Sequence, residues 1–366
     1  MMPAPTPPPP AEEALCRGGF ILNRASFAGL VGFEADDHLA AFRAFALSCA
    51  AISAKAPPLR AAVSPAPGLP AVAQAALRQP PRCDAEAKRF FETYFAPYRI
   101  CAYPAHADAN GFVTGYYEPV VAGAVTKSGE YTAPVLGRPA SLRQGTPYHD
   151  RAAIDSGAAE GDAPVLVWLR DAVEVFLIQV QGSAKVRLPD GRLLRLVYAG
   201  RNGHPYTSIG RILIESGAIA ERAMSLAALK QWIRANGQNP GDAGRALMQR
   251  NRSYVFFSLQ EDDGSGRGPL GGQGVGLSPL RSLAVDRSIW SYGLPFWITA
   301  DLPWFGPVST PFRRLMIAQD TGSALTGPAR FDIFFGSGDD AGARAGDIRH
   351  GSAAYVLLPA QEASAR

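Results

Sequence analysis

Three aspartates in the last third of this 366-residue chain have the residue type and setting for acid–base chemistry. Asp286 follows the apolar run Leu283-Ala284-Val285, Asp320 comes shortly after Leu315-Met316-Ile317-Ala318, and Asp332 stands between Phe331 and Ile333. Each lies in or just after a run that reads as a strand. A carboxylate anchored there among bulky apolar groups loses hydration, which raises its pKa and lets it hold a proton near neutral pH. A general acid requires that property. Taken singly, each aspartate also has a plainer reading, acceptance of backbone hydrogen bonds in a tight turn. Three in similar settings, two of them beside glycine-rich loops, favour a site.

Other chemistries find less support. Asp320-Thr321-Gly322 matches the active-site turn of aspartic proteases, but that reaction needs two carboxylates sharing a proton. This chain has a single Asp-Thr-Gly, so a protease would have to be a symmetric dimer. There is no GxSxG elbow, and His38, His106, His149, His204 and His350 show no metal-ligand spacing. Acid–base chemistry on a carboxyl needs only a proton carrier, so neither metal nor organic cofactor is expected. His204, in Asn202-Gly203-His204-Pro205, reads as a loop hydrogen-bonding residue. The stretch from Gly264 to Gly276 lacks a phosphate-binding fingerprint and reads as a flexible rim loop. Cys16, Cys49, Cys83 and Cys101 form no CxxC pair, which argues against zinc and leaves disulfides and buried thiols both open. Aromatic groups interleaved with Gly, Pro and polar residues supply a second signal: Gly115-Tyr116-Tyr117-Glu118-Pro119, His204-Pro205-Tyr206, Tyr254-Val255-Phe256-Phe257 and Trp290-Ser291-Tyr292. Such faces stack on sugar rings, although core packing accounts for any one of them equally well.

The elements that must position these residues are short. With 38 glycines and 31 prolines the chain turns often, which favours a mostly β protein, and its length favours two domains. The formal net charge of +4 is spread without a basic run, so nucleic acid is not indicated as a partner. No stretch of 18 apolar residues occurs, so no spanning helix is expected and the chain reads as soluble. Residues 1–14 read as a disordered, proline-rich tail with no visible secretory signal. Helices are expected from Asp36 to Lys55, with apolar Leu39, Phe42, Phe45 and Leu47 at roughly helical spacing, and from about Asp84 to Tyr98. After Gly111 the runs Val165–Leu169 and Val173–Val180 read as strands. Pro189-Asp190-Gly191 joins Lys185–Leu188 to Leu193–Tyr198 in a hairpin. Thr207–Gly210 leads into a short helix at Arg211–Ser216, and Ser225 caps another that runs through Ala235.

Several separated motifs, in order, resemble the membrane-bound lytic murein transglycosylase A family, whose C-terminal 3D domain is called after three aspartates. They are Gly115–Pro119, Val180-Gln181-Gly182-Ser183, Asn202–Tyr206, Asn251–Phe257, Leu283–Asp286, Ala318–Gly322 and Phe331–Gly336, within residues 111 to 358. The resemblance implies a mostly β fold with peripheral helices: a double-psi β-barrel from residues 15–118 and 207–366, with a smaller β-barrel inserted at 119–206 and a glycan groove between them. It implies cleavage of the β-1,4 bond between N-acetylmuramic acid and N-acetylglucosamine of peptidoglycan, leaving a 1,6-anhydromuramoyl end. Asp332 matches the catalytic aspartate, and Asp320 and Asp286 match the other two. Substrate-binding roles fall on Tyr116, Tyr117, Glu118, Gln181, Tyr206 and Tyr254. Glu118 stands where the family pattern admits Thr, so this carboxylate touches either substrate or only the barrel. The partner would be peptidoglycan glycan strands and the protein a monomer in the periplasm. Peripheral association with the outer membrane is compatible with this, and an export signal would lie upstream or have been removed. The competing reading is a non-catalytic peptidoglycan-binding module of the cell wall, against which the three intact aspartates speak.

Overall fold

In this computed structural model the described residues are 14–17, 19–102, 111–143, 145–262, 264 and 266–360. The expected tail therefore lies outside them except for Ala14. The first elements are β1 (Ala14–Arg17), β2 (Phe20–Arg24), α1 (His38–Ser53), α2 (Leu69–Arg78), α3 (Asp84–Tyr94), β3 (Phe95–Ala102) and β4 (Gly111–Glu118). Next come β5 (Val120–Ala124), β6 (Ala133–Leu136), α4 (Arg151–Asp155), β7 (Val165–Leu169), α5 (Ala172–Gln181), β8 (Ala184–Arg187) and β9 (Leu193–Arg201). Helices α6 (Ile209–Glu215), α7 (Leu226–Ala235) and α8 (Ala243–Arg250) precede β10 (Val255–Glu261). The chain ends with β11 (Ser282–Ala284), β12 (Pro295–Leu302), β13 (Thr310–Asp320), β14 (Arg330–Ser337), α9 (Asp339–Gly346) and β15 (Arg349–Pro359).

Six strands close on themselves. β15 pairs with β12, which continues through β13, β11 and β14 to β4, and β4 pairs back onto β15 through Arg349↔Thr114 to Ser352↔Gly111. The β11–β13 and β14–β4 pairs are parallel and the others antiparallel. Closure leaves no free edge in the ring and encloses a core in which Phe296, Phe312, Phe331 and Ile333 are inaccessible to solvent. β1, β2 and β3 extend the sheet from β15. α1 begins at Asp37, whose carboxylate accepts from the Ala40 amide, and buries Phe42 and Phe45 against Phe90 and Phe91 of α3. Leu47 is on the solvent face, and α3 stops at Tyr94 because Phe95 turns extended into β3.

The second sheet has the order β10-β9-β8-β5-β7-β6, and a bridge between Gly137 and Phe257 brings its two outer strands together. The β8–β9 hairpin forms as its sequence predicts, with Gly191 at positive φ in the turn. Two expectations fail here. Val173–Val180 is not a strand but most of helix α5, capped by the Asp171 carboxylate and ended by Gly182 in the left-handed region. Its apolar run has no simple stripe because both sides are covered: Val175 and Ile178 face the second sheet's core, while Val173, Phe176 and Leu177 pack with Ile209, Leu213 and Ile233 of α6 and α7. The boundary expected at Tyr206 also does not part the two sheets, since β10 pairs with β9 and α6–α8 pack against α5, carrying the second unit to Glu261.

Candidate active site

β14 presents Asp332 at the mouth of the barrel. Parallel pairing sets it opposite Thr114 of β4, whose hydroxyl donates to Asp332 Oδ1 at 2.8 Å and accepts from Arg330 Nη2 at 2.9 Å. Arg330 lies two residues before Asp332 on β14, so strand alternation sends both to one face. Burial pushes the Asp332 carboxyl up to about 6, the Arg330 guanidinium and the Thr114 hydroxyl oppose that rise, and the Asp320 charge adds to it. Among the described residues its Oδ2 has no hydrogen-bond partner.

Asp320 ends β13. Ala284 of β11 is the register partner of both Asp320 and Asp332, so the two aspartates are separated by about two strand spacings, roughly 10 Å between backbones. Both carboxylate oxygens of Asp320 are engaged: Oδ2 accepts from the Tyr116 hydroxyl at 2.9 Å, and Oδ1 from the amides of Gly272 and Thr321 at 2.7 and 2.8 Å. The Tyr116 phenol is pushed well above its ordinary value, first by burial and then by the Asp320 and Asp332 charges, so it remains a donor. The glycine-rich stretch is packed where it holds Asp320, at Gly271 and Gly272, and open at Gly264 and Gly266. A Cβ on Gly272 would come within 2.4 Å of the Tyr292 hydroxyl, and one on Gly271 within 2.5 Å of the Gln319 carbonyl.

Asp286 sits elsewhere. Just beyond β11, its Oδ1 accepts from the Ser288 amide and hydroxyl at 2.9 and 2.6 Å, and its Oδ2 from the Gly327 amide at 2.7 Å. It joins the turn at 286–290 to the loop at 322–328 and does not line the cleft. For this aspartate the plainer sequence reading, a turn-forming acceptor, describes its contacts.

A cleft of about 730 Å³ runs between the barrel mouth and the second sheet, lined by Asp332, Asp320, Tyr116, Gln181, Tyr198 and Tyr206 among others. Gln181, at the end of α5, accepts from the Tyr117 amide at 3.1 Å. Tyr206 is half-buried and close enough to Asp332 for that charge to help burial raise its phenol. Three expected substrate contacts do not face this cleft. Tyr117 points to the opposite side of β4 from Tyr116, where its ring lies 2.6 Å from a Cβ built on Gly342 of α9. Glu118 is wholly buried, accepting from Ser337 Oγ at 2.6 Å and paired with Arg195 Nε at 3.0 Å. It touches the barrel, and through Arg195 of β9 it ties barrel to second sheet. Tyr254 is buried beneath the Arg151 guanidinium, 5.0 Å from its ring, and beside Phe256, with its phenol pushed up to about 12 by burial.

The structure adds residues that the sequence reading omits. Thr114 was legible in principle, two residues before Tyr116 on the same strand face. Arg60 carries no local pattern, yet it lines the cleft, donates to the Thr321 carbonyl and stacks 4.0 Å over the Tyr198 ring of the second sheet. Arg201 donates to Ser323 Oγ at 2.8 Å, also from one wall to the other. His204 bonds the Tyr148 carbonyl through Nε2 at 2.8 Å, the loop role its sequence suggests. Cys49, Cys83 and Cys101 are free thiols, while the Cys16 side chain is outside the described residues.

Comparison with known proteins agrees with this architecture. The MltA specific insert domain matches residues 112–258 and the 3D domain matches residues 281–358. The chain is 36% identical over 262 residues to the membrane-bound lytic murein transglycosylase A of Escherichia coli, covering 69% of this chain and 68% of that protein. It is 35% identical over 248 residues to the protein of the same name from Vibrio cholerae, covering 66% of this chain and 63% of the relative, just under two thirds of its length. Among solved structures, a membrane-bound lytic murein transglycosylase from Agrobacterium tumefaciens superposes with TM-score 0.81 at 33% identity, covering 94% of this chain and 99% of that one. MltA from Escherichia coli with bound chitohexaose superposes with TM-score 0.68 at 27% identity, covering 94% and 96%. Two domain matches in sequence order, together with a closed barrel that carries the insert, place this chain in the membrane-bound lytic murein transglycosylase A family.

Proposed function

We propose that this protein is a lytic transglycosylase that cleaves the β-1,4 bond between N-acetylmuramic acid and N-acetylglucosamine in peptidoglycan, with Asp332 as acid and then base. The observation that carries the proposal is the contrast between the two cleft carboxyls. Asp332 has a raised pKa and a free oxygen, whereas Asp320 has both oxygens occupied. Hydrolysis by the usual route needs two carboxyls acting on opposite sides of the sugar ring. Intramolecular attack by the muramoyl 6-hydroxyl needs only one, because nucleophile and electrophile share a ring.

Protonated Asp332 donates to the glycosidic oxygen as the bond to C1 breaks, and N-acetylglucosamine leaves with its new hydroxyl. The 6-hydroxyl then attacks C1, closes the 1,6-anhydro ring and gives its proton to the Asp332 carboxylate, which restores the starting acid. Asp320 holds Tyr116 and sets a negative charge beside the cleft that offsets oxocarbenium charge at C1. Asp286 acts at a distance, by fixing the loop that forms one rim. Tyr116, Gln181 and Tyr206 would contact the glycan, and we read the barrel as the double-psi arrangement. A related structure holding chitohexaose supports a glycan ligand, and relatives named membrane-bound support a place in the cell envelope, at the periplasmic face where peptidoglycan lies. No helix among the described residues is long and apolar enough to cross a membrane.

Mass spectrometry of products released from purified peptidoglycan tests the reading. Anhydromuramoyl ends from the protein and none from Asp332→Asn are expected. Reducing muramic ends would mean that water is the nucleophile, and retained sacculus binding without release would make the protein a binding module.

A further inference from the structure

The cleft is far more cationic than the chain. Seven arginines line it with two aspartates and no lysine or glutamate, although the whole protein carries a net charge of only +4. Outside the cleft some surface guanidiniums are paired, Arg170 with Glu130, Arg192 with Asp190, Arg211 with Glu215, Arg234 with Asp171 and Arg252 with Asp150, while others, Arg43, Arg78 and Arg187 among them, are exposed with no carboxylate partner among the described residues. The cleft gathers several such unpaired guanidiniums in one place. Arg138 donates to the carbonyls of Ala199 and Leu142, Arg143 to that of Ala140, Arg201 to Ser323 Oγ and the His204 carbonyl, and Arg287 to the Ala61 carbonyl. All these acceptors are neutral, and among the described residues none of the four arginines has a carboxylate partner. Arg138, Arg143 and Arg287 are exposed, each with guanidinium donors to spare. A strand stripped of its peptides offers these cations one lactyl carboxylate per muramic acid, close to the sugar ring, whereas an attached peptide adds further carboxylates that reach outward to the walls.

We propose that this arginine rim recognises the carboxylates of the short peptides attached to muramic acid, so that peptide-bearing strands are the preferred ligand over bare glycan. The inference rests on the peptidoglycan reading above and deepens it. Arg138, Arg143 and Arg201 belong to the wall built by the second sheet and Arg287 to the barrel wall. Anions projecting from a sugar chain held between the walls would therefore find cations on both sides. Such contacts give attraction and orientation that salt weakens.

Binding and turnover are measured separately. The Asp332→Asn variant, unable to turn substrate over, is titrated with glycan strands of equal length, either carrying their peptides or stripped of them by an amidase. At about 20 mM salt the peptide-bearing strands should bind about tenfold more tightly, as two or three exposed charge pairs allow, and the gap should close near 300 mM. In an Arg143→Gln, Arg287→Gln double variant the ratio of the two dissociation constants should fall toward one. Equal affinity for both strands at low salt, tighter binding of stripped strands, or a ratio untouched by the double variant would each overturn the inference. Product analysis with the unsubstituted protein is independent. Absence of anhydromuramoyl ends from both strands would refute the proposed reaction and leave the affinity ratio to decide the role of the rim.

Discussion

At the scale of single residues, the proposed chemistry comes down to how one carboxyl is kept protonated. Asp332 rises from 3.8 to about 6 because burial outweighs the Arg330 charge and the Thr114 hydroxyl. As an acid it must be protonated when substrate arrives, so kcat/KM should fall above about pH 6 with unit slope. Removing the hydroxyl that steadies the charged form, in Thr114→Val, should move that limb to higher pH, and a pH–rate profile reads it directly. The same shift governs stability. Below about pH 4 the carboxyl is protonated folded and unfolded. As pH rises through 6 the folded chain binds more protons than the unfolded one, so stability is lost over that window. Asp332→Asn should therefore gain about 3 kcal/mol at pH 8, at about 1.4 kcal/mol per unit, with the gain fading toward pH 4. Denaturant titrations of both proteins at the two pH values check this. An aspartate that merely completed the fold would give the opposite sign.

Elements decide which carboxylates reach the cleft. The sequence pattern identified Asp332 and Asp320 because both stand on strands whose apolar neighbours announce burial. It also promoted Asp286, Glu118 and Tyr254, because a motif shows which residues occur near one another but not which face of a strand they occupy. Strand alternation sends Tyr116 into the cleft and Tyr117 away from it, and register alone puts Thr114 beside Asp332. α5 was misread because a helix sandwiched between a sheet and other helices is apolar on nearly every side, which erases the periodicity that marks most helices. Arg60 had no local signal, since its partners Thr321 and Tyr198 are distant in sequence. The Glu118–Arg195 pair is an element-scale joint with the carboxylate wholly buried. Glu118→Ala leaves that largely buried guanidinium with only the more distant Asp262 carboxylate, at 3.8 Å, and the Arg267 carbonyl, and should cost about 3 kcal/mol in chemical denaturation. Variant that remains folded should still release anhydromuramoyl ends, which separates a structural carboxylate from one that touches substrate.

For the molecule as a whole, the cleft exists only because two independent cores face each other. The barrel with α1–α3 and the second sheet with α5–α8 each bury their own apolar clusters, and between Glu118 and Val120 the chain passes from one to the other with Pro119 alone intervening. The spacing of the walls therefore depends on a limited set of contacts, among them Glu118 with Arg195, the Tyr117 amide with Gln181 and Arg349 with the Met224 carbonyl, and Arg60 over Tyr198 and Arg201 with Ser323 across the opening. Those at the opening are partly solvated and contribute little to folding, because exposed polar contacts are worth at most about 1 kcal/mol each. Their effect on reaction geometry is larger, since displacement of bound groups by about 1 Å can cost on the order of a hundredfold in rate. Arg60→Ala should thus lower kcat/KM by about ten- to a hundredfold while shifting the melting temperature by no more than about 3 °C. Steady-state release of anhydromuramoyl products and a thermal melt, run on the same preparation, measure both quantities. A large loss of stability would instead place Arg60 in the scaffold of the barrel. An unchanged rate would mean that the substrate itself sets the distance between the walls.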